Sequence, residues 1–337
     1  MAIKIGINGF GRIGRQVYKV IYEKYSDVLD VEAINDLAPV ATNAHMLKYD
    51  STYGRFPGEI EVKDDDLYID GNLLKSYAVR NPAELPWGEL GVDIVLECTG
   101  IFRSRDAAAA HLEAGAKKVI ISAPGKDVDG TFCMGVNHED YDSASQHVIS
   151  NASCTTNCLA PVAKVLNDTF GIEHGMMSTI HAVTNGQAIL DVAGKDLRRA
   201  RTAFANIIPT TTGAAKAISL VIPDLAGKLD GMAFRVPVVT GSVVDLVVKL
   251  GKSATAEEVN AALKAGAESD GWLGEVLAYS EEPLVSSDYI GDAASSTVDA
   301  LSTNVMGDMV KVVTWYDNEW GYSNRLADIT KYVAEKL

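Results

Sequence analysis

Cysteine is scarce. A chain of 337 residues has four, at positions 98, 133, 154 and 158. That is too few for a disulfide framework at this size, so a reducing compartment is expected, here the cytoplasm. Long apolar runs are missing as well, and none approaches the ~18 residues a membrane span needs. No secretory leader is expected, because the first residues already read as a strand running into a glycine motif. Positive charge is in deficit: 30 Lys and Arg against 45 Asp and Glu leave a net charge of −15. Such a field argues against nucleic acid as the main partner. It also makes grouped arginines informative, since an anionic ligand would need a local positive site.

What is present reads as a globular chain, 47% apolar and 22% charged, long enough for two domains with full cores. Residues 2–14 combine a buried-strand pattern with Gly9-x-Gly11-x-x-Gly14, and Val17, Val20 and Ile21 follow at helical spacing. A strand, tight turn and helix in that order suit a dinucleotide pyrophosphate, because the glycines admit close backbone approach and the helix N-terminus faces the charge. A second strand, 31–34, ends at Asn35-Asp36, and Asp36 lies 22 residues after Gly14, near the spacing of a ribose-binding carboxylate. The same residue could instead cap a helix over 40–48. Beside Asp36, a 2′-phosphate would meet like-charge repulsion of roughly 1–4 kcal/mol at ~4 Å, which favours NAD over NADP. Apolar Leu37 points the same way.

A hairpin is expected over 67–79 around Asp70-Gly71-Asn72, a buried strand over 92–97, a helix over 105–114 and a strand over 118–122. This alternation predicts a doubly wound α/β sheet. Further on, strand-like runs at 176–183, 232–239, 242–250 and 309–315, with a capping box at Thr255 and Glu258, predict an α+β domain whose sheet has one covered face. A last helix over 318–337 is expected to complete the first domain. The predicted domains are therefore 1–153 with 318–337, and 154–317.

Between them lies Ser150-Asn151-Ala152-Ser153-Cys154-Thr155-Thr156-Asn157-Cys158. A strand over 147–149 leads into Ser153, and apolar positions recur at helical spacing until Gly171. Cys154 then sits in the first helical turn, where unpaired N–H groups and the helix dipole lower a thiol pKa below its usual ~8.5. The plainer reading is a small buried hydrophobe, but the flanking hydroxyls are not what an apolar packing site needs. Cys158 reads as packing, without a third ligand nearby for a metal, and no metal is expected. His181, in a strand, gains a role if it meets Cys154, as an imidazole that takes the thiol proton. Arg198-Arg199-Ala200-Arg201, Thr210-Thr211-Thr212-Gly213 and Phe234-Arg235-Val236-Pro237 offer hydroxyls, a glycine amide and guanidinium groups suited to phosphate.

Asn-Gly-Phe-Gly-Arg-Ile-Gly at 8–14, Ala-Ser-Cys-Thr-Thr-Asn-Cys at 152–158, Thr-Thr-Gly-Ala-Ala-Lys at 211–216, Phe-Arg-Val-Pro at 234–237 and Trp-Tyr-Asp-Asn-Glu-Trp-Gly-Tyr-Ser at 315–323, with Asn35-Asp36 and His181, resemble the phosphorylating glyceraldehyde-3-phosphate dehydrogenases. The likeness spans the whole chain. It implies a Rossmann-type dinucleotide-binding domain with an α+β catalytic domain and a mostly antiparallel sheet. It further implies a homotetramer of glycolysis or gluconeogenesis that turns D-glyceraldehyde 3-phosphate, inorganic phosphate and NAD into 1,3-bisphosphoglycerate and NADH through a thioester. By the same resemblance Cys154 is the nucleophile and His181 its base. Gly9, Gly11, Arg12, Ile13 and Gly14 hold the pyrophosphate, Asp36 the ribose, Arg80 and Ser122 lie along the cofactor, and Asn318 binds the nicotinamide amide. The substrate phosphate meets Thr184 and Arg235, the attacking phosphate Ser153, Thr155, Thr212 and Gly213, and Arg199 serves either anion. The chain departs from the family pattern at Val183 to Gln187, at Val192-Ala193 and after Arg235. The second departure implies some secondary use of NADP. Erythrose-4-phosphate dehydrogenase is the neighbouring alternative, and the intact 211–215 stretch favours the phosphorylating enzyme.

Overall fold

The structure, a computed structural model, describes residues 2–337, which form two compact units. The first comprises residues up to 132, 139–152 and 323–337; the second comprises 133–138 and 153–322.

In the first unit a nine-stranded sheet runs, edge to edge, Gly130–Thr131, Val148–Ser150, Lys118–Ile121, Ile94–Glu97, Ile3–Asn8, Leu29–Asn35, Asn72–Tyr77, Asp66–Ile69 and Ile60–Lys63. The first seven are joined by parallel pairings. Ile94–Glu97 and Lys118–Ile121 are buried at every position, as strands covered on both faces must be. Trp87, Val92, Val95 and Ala116 fill one side, and Ala108, Val119, Ile121 and Val148 form another cluster. The expected hairpin extends this sheet. Its Asp70-Gly71 turn has φ of 50° and 80°, which matches the twist of tightly connected strands. The helix expected over 105–114 is broken into Arg105–Ala108 and Ala110–Glu113, ahead of Gly115 at φ 105°.

In the second unit a seven-stranded sheet runs Ile208–Thr211, Leu229–Val236, Ile172–Ala182, Ser242–Leu250, Met309–Tyr316, Ser296–Met306 and Leu277–Ser280. Four of its six pairings are antiparallel. Ser242–Leu250 alternates buried and half-buried positions throughout, the mark of one covered face. The Rossmann-type sheet and the mostly antiparallel α+β sheet are those the sequence predicts. Helix Ala256–Ala267 carries the capping box, Thr255 Oγ1 accepting from Glu258 N at 3.2 Å and Glu258 Oε2 accepting from Thr255 N at 2.8 Å.

Candidate active site

The glycine motif is built as a dinucleotide turn. Gly9 has φ +93°, and a Cβ on it would lie 2.6 Å from the Thr99 amide nitrogen; a Cβ on Gly14 would lie 2.1 Å from the Gly9 carbonyl oxygen. Only glycine fits either place. A Cβ on Gly11 would meet nothing within 4 Å, so open space lies in front of helix Arg12–Val20, where a pyrophosphate could approach the first-turn N–H groups. The Arg12 guanidinium is turned to Asp50 at 2.9 Å, which leaves its backbone and that of Ile13 for an anion. Asp36 does not cap the helix Val40–Lys48, whose N-cap is Pro39. Its two carboxylate oxygens accept instead from Phe10 N at 2.8 Å and Ala38 N at 2.9 Å. The carboxylate is thereby fastened to the glycine turn. Exposed Arg80 follows Val79, whose N–H and C=O are both bonded by the Asn35 amide. The Ser122 hydroxyl bonds the Cys98 thiol, which burial pushes up to about 12, too high for a nucleophile at neutral pH. These residues gather at the carboxyl ends of one parallel sheet, where open α/β sheets bind ligands, and the set fits a dinucleotide.

In the second unit Ser153 is the N-cap of helix Cys154–Phe170, its Oγ accepting from Thr156 N at 3.0 Å. A cap of this kind contributes about 1 kcal/mol. The residue before it, Ala152, is fully buried at φ +56°, a left-handed conformation that a non-glycine residue holds only at a cost of roughly 1–2 kcal/mol. That strained bend turns the chain from the end of a strand into the first turn carrying Cys154.

Strand Ile172–Ala182 delivers His181 to the same place, Nε2 lying 3.4 Å from Cys154 Sγ. His181 Nδ1 is 2.7 Å from the Ala182 carbonyl oxygen and 2.5 Å from Arg235 Nη1, which also donates to that carbonyl at 3.1 Å. A guanidinium cannot accept and a carbonyl cannot donate, so the ring's tautomer is assigned by choosing between them. With Nδ1–H given to Ala182, the Nε2 lone pair faces the thiol. Burial, then the charge of Arg235, lowers the imidazole to about 3, so it is a neutral base at physiological pH. For the thiol, burial works against the charged form and raises its pKa; Arg235, the Thr155 hydroxyl and the backbone N–H groups of Thr155 and Cys154 pull it down. The net direction is upward, contrary to what the helix N-terminus alone predicts. Cys154 is therefore a thiol waiting for a base, with the base in contact.

Arg235 brings positive charge to this pair and is itself depressed by burial and by the charge of Arg199. Buried Arg235 Nε and Gln187 Nε2 have no hydrogen-bond partner among the described residues. Gln187 Oε1 accepts from the Thr184 amide and hydroxyl at 2.8 and 2.9 Å, and a Cβ on neighbouring Gly186 would lie 2.6 Å from Arg199 Nη2. Thr184, Arg199 and Arg235 thus belong to one cationic neighbourhood with donors to spare. Thr212 and Gly213 stand at the start of helix Ala214–Val221, beyond the strand whose Ile208 pairs with Arg235. Among the described residues, no hydrogen bond joins them to Cys154.

Three contributors escape a reading of the sequence. Tyr316 places its hydroxyl 2.9 Å from both Thr155 Oγ1 and Thr179 Oγ1, with its ring edge-on to His181 at 5.9 Å. Ser242 accepts from Ala182 N at 3.0 Å and donates to Asn318 Oδ1 at 2.8 Å, which fixes the Asn318 amide. Ala152 is the third. Tyr316 and Ser242 occupy buried positions of alternating strands, a signal that marks core and not chemistry.

The chain is similar to known proteins over its whole length. Residues 3–105 match the family model described as glyceraldehyde 3-phosphate dehydrogenase, NAD binding domain, and residues 153–318 match its C-terminal domain. The chain belongs to the glyceraldehyde-3-phosphate dehydrogenase family. It is 61% identical to the glyceraldehyde-3-phosphate dehydrogenase of Geobacillus stearothermophilus over 100% of this chain and 99% of that protein. It is 58% identical to glyceraldehyde-3-phosphate dehydrogenase 1 of Bacillus subtilis over 100% and 99%, and 57% identical to the Streptomyces coelicolor protein over the whole of both. Within the family's NAD binding domain lie the glycine turn, Asp36 and Arg80; within its C-terminal domain lie Cys154, His181, Arg235 and Asn318.

Proposed function

We propose that this member of the family oxidises D-glyceraldehyde 3-phosphate with NAD and joins the product to inorganic phosphate, giving 1,3-bisphosphoglycerate in glycolysis or gluconeogenesis. The observation that carries this reading is the 3.4 Å contact between Cys154 Sγ and a neutral, buried His181 Nε2 beside Arg235. His181 takes the thiol proton as sulfur adds to the aldehyde carbon. It passes that proton to the oxyanion formed on the aldehyde oxygen, giving a hydroxyl, and, neutral again, withdraws the hydroxyl proton as hydride leaves the same carbon; the sulfur is left as a thioester that preserves the free energy of oxidation. Bound NAD would supply the hydride acceptor. A phosphate oxygen attacks the thioester carbonyl, the carbon–sulfur bond breaks, and the expelled thiolate takes the proton back from His181, which restores the thiol and the neutral imidazole.

Two anions need two sites. Arg235 and Thr184 are assigned to the substrate phosphate and Ser153, Thr155, Thr212 and Gly213 to the attacking one, with Arg199 available to either. The unpartnered donors Arg235 Nε and Gln187 Nε2 support an anion in this neighbourhood. For the cofactor we assign the backbone of Gly9 to Gly14, Asp36, Arg80, Ser122 and Asn318. Residues 1–153 with 318–337 would serve the cofactor and 154–317 the chemistry. NAD is the cofactor, and secondary use of NADP is proposed from the Val192-Ala193 departure. A homotetramer is proposed because Ile189, Leu190, Leu197, Phe204 and Ile207 are each at least 60% exposed within one short segment, an apolar surface that water would not leave bare. The cytoplasm is the proposed location.

NADH formation from glyceraldehyde 3-phosphate, with and without inorganic phosphate and beside erythrose 4-phosphate, tests the reading. Sustained turnover that needs phosphate and prefers the triose supports it. Equal turnover without phosphate would mean that water resolves the thioester, and the phosphorylating reading would fall.

A further inference from the structure

A polar belt whose Asn8, Asn35, Glu97 and His111 are buried crosses the first unit next to the loops assigned to the cofactor. Asn35 Nδ2 donates to Val79 O at 2.9 Å and to Asn8 Oδ1 at 2.7 Å, and Asn8 Nδ2 donates to Glu97 Oε2 at 2.6 Å. The same Glu97 oxygen lies 3.0 Å from His111 Nε2. The indole N–H of Trp87 donates to His111 Nδ1 at 3.0 Å, and an indole nitrogen cannot accept, so the imidazole proton sits on Nε2 and is donated to Glu97. The other carboxylate oxygen, Oε1, accepts from the Thr99 amide at 2.8 Å and from the Thr99 hydroxyl. Glu97 therefore faces four donors, is 1% exposed, and among the described residues has only His111 within ion-pair distance.

A buried carboxylate of this kind is costly unless every lone pair is used, and the chemistry assigned to Cys154 does not use it. Its geometry says what it holds. The Thr99 amide bonded to Glu97 is the atom against which Gly9 packs so closely that a Cβ would lie 2.6 Å away. Through Asn8 and Asn35 the same network reaches Val79, next to Arg80, and the strand end that leads to Asp36. We infer that Glu97 is a positioning residue for dinucleotide binding: as an acceptor of four hydrogen bonds it locks the Thr99-Gly100 loop, the glycine turn and the Arg80 loop into one rigid rim. The inference rests on the NAD-binding reading of this unit and names the group that pre-organises it.

Glu97→Gln tests it, since the change keeps size and shape but turns one acceptor into a donor. If the Gln oxygen stays with Thr99, its amide faces Asn8 Nδ2 and His111 Nε2–H, both donors, and the belt breaks at Asn8. NAD affinity is measured by calorimetry on the full chain, with Tm and amide hydrogen exchange alongside and Ile94→Val as a control that removes a buried methylene from the same strand. The expected result is NAD affinity weaker by about tenfold or more, from lost and mismatched buried hydrogen bonds. Exchange at the Thr99 amide should be faster, KM for NAD raised, and kcat at saturating NAD near the parent value. Ile94→Val should lower Tm without moving affinity. Glu97→Gln protein that binds NAD within twofold of the parent would overturn the inference, whereas a parent that binds no NAD would overturn the reading beneath it. Should Glu97→Gln not fold, Thr99→Val removes one donor to the carboxylate and should still weaken binding severalfold; unchanged affinity there would overturn the inference equally.

Discussion

His181 Nε2 faces Cys154 Sγ at 3.4 Å across the junction of a strand end and a helix start, with the imidazole held neutral and the thiol held protonated. In the proposed reaction, proton transfer from sulfur to nitrogen is therefore a step of catalysis and not a property of the resting protein. His181→Asn should lower kcat by roughly 10²–10⁴, the usual span for loss of a positioned base, while leaving NAD affinity unchanged. Steady-state kinetics beside a binding titration separates the two; a loss confined to KM would remove His181 from the chemistry.

Arg235 acts on both partners, lowering the thiol and depressing the imidazole. In Arg235→Gln the thiol pKa should rise further and the imidazole pKa should recover from about 3. Alkylation of Cys154 by iodoacetamide, followed against pH, should show its midpoint displaced upward from the parent's and a slower rate at pH 7. A midpoint displaced downward would mean that Arg235 does not stabilise the thiolate.

Acid stability follows from two depressed pKa values. His181 drops to about 3 on folding, so between its unfolded value near 6.5 and about 3 the unfolded chain binds the extra proton and stability falls as pH falls. From pH 7 to pH 5 that costs about 2 kcal/mol, and His181→Asn should lose that much less over the interval. Asp50 sits at about 2, lowered by the backbone N–H groups of Thr52 and Tyr53 and by Arg12 and Lys19 against the opposing effect of its burial. Its contribution is fully present above about 4 and is lost as pH falls through about 2. Asp50→Asn should cost about 3 kcal/mol near neutrality, because Arg12 and Lys19 lose a buried partner, and should flatten the acid limb below pH 4. Denaturant titrations at pH 7, 5 and 3 check both.

How far these features were legible depends on whether they are local. The Cys154 helix could be read from Ser153 and Gly171, and the glycine turn and the Asp70-Gly71 hairpin from their own residues. Strand Ser296–Met306 could not, because its second half is exposed and polar around Ser302-Thr303-Asn304 and its register with Met309–Tyr316 shifts between Asp299 and Asn304. The upward direction of the thiol was equally hidden: a helix N-terminus is visible in sequence, whereas burial by distant strands is not. Asp50 and Glu97 owe their importance to partners on other elements, Arg12, Gln16 and Lys19 for one and Asn8 and His111 for the other, between 14 and 89 residues away.

The proposed preference for NAD rests on Asp36, whose carboxylate is fixed by Phe10 N and Ala38 N with half-exposed Leu37 beside it. Asp36→Ser should narrow the preference for NAD over NADP by about tenfold or more, as removal of one close like charge allows. Comparison of kcat/KM for both cofactors decides it; equal efficiency already in the parent would refute the preference.

The central claim is that oxidation leaves an acyl group on Cys154 for phosphate to remove. Rapid mixing of the protein with glyceraldehyde 3-phosphate and NAD in the absence of phosphate, followed by mass spectrometry of the quenched chain, reads this directly. The account predicts a burst of NADH matched by one acyl adduct per chain, located on Cys154, discharged on addition of phosphate and absent from Cys154→Ser. A burst with no adduct on Cys154, or an adduct indifferent to phosphate, would contradict it.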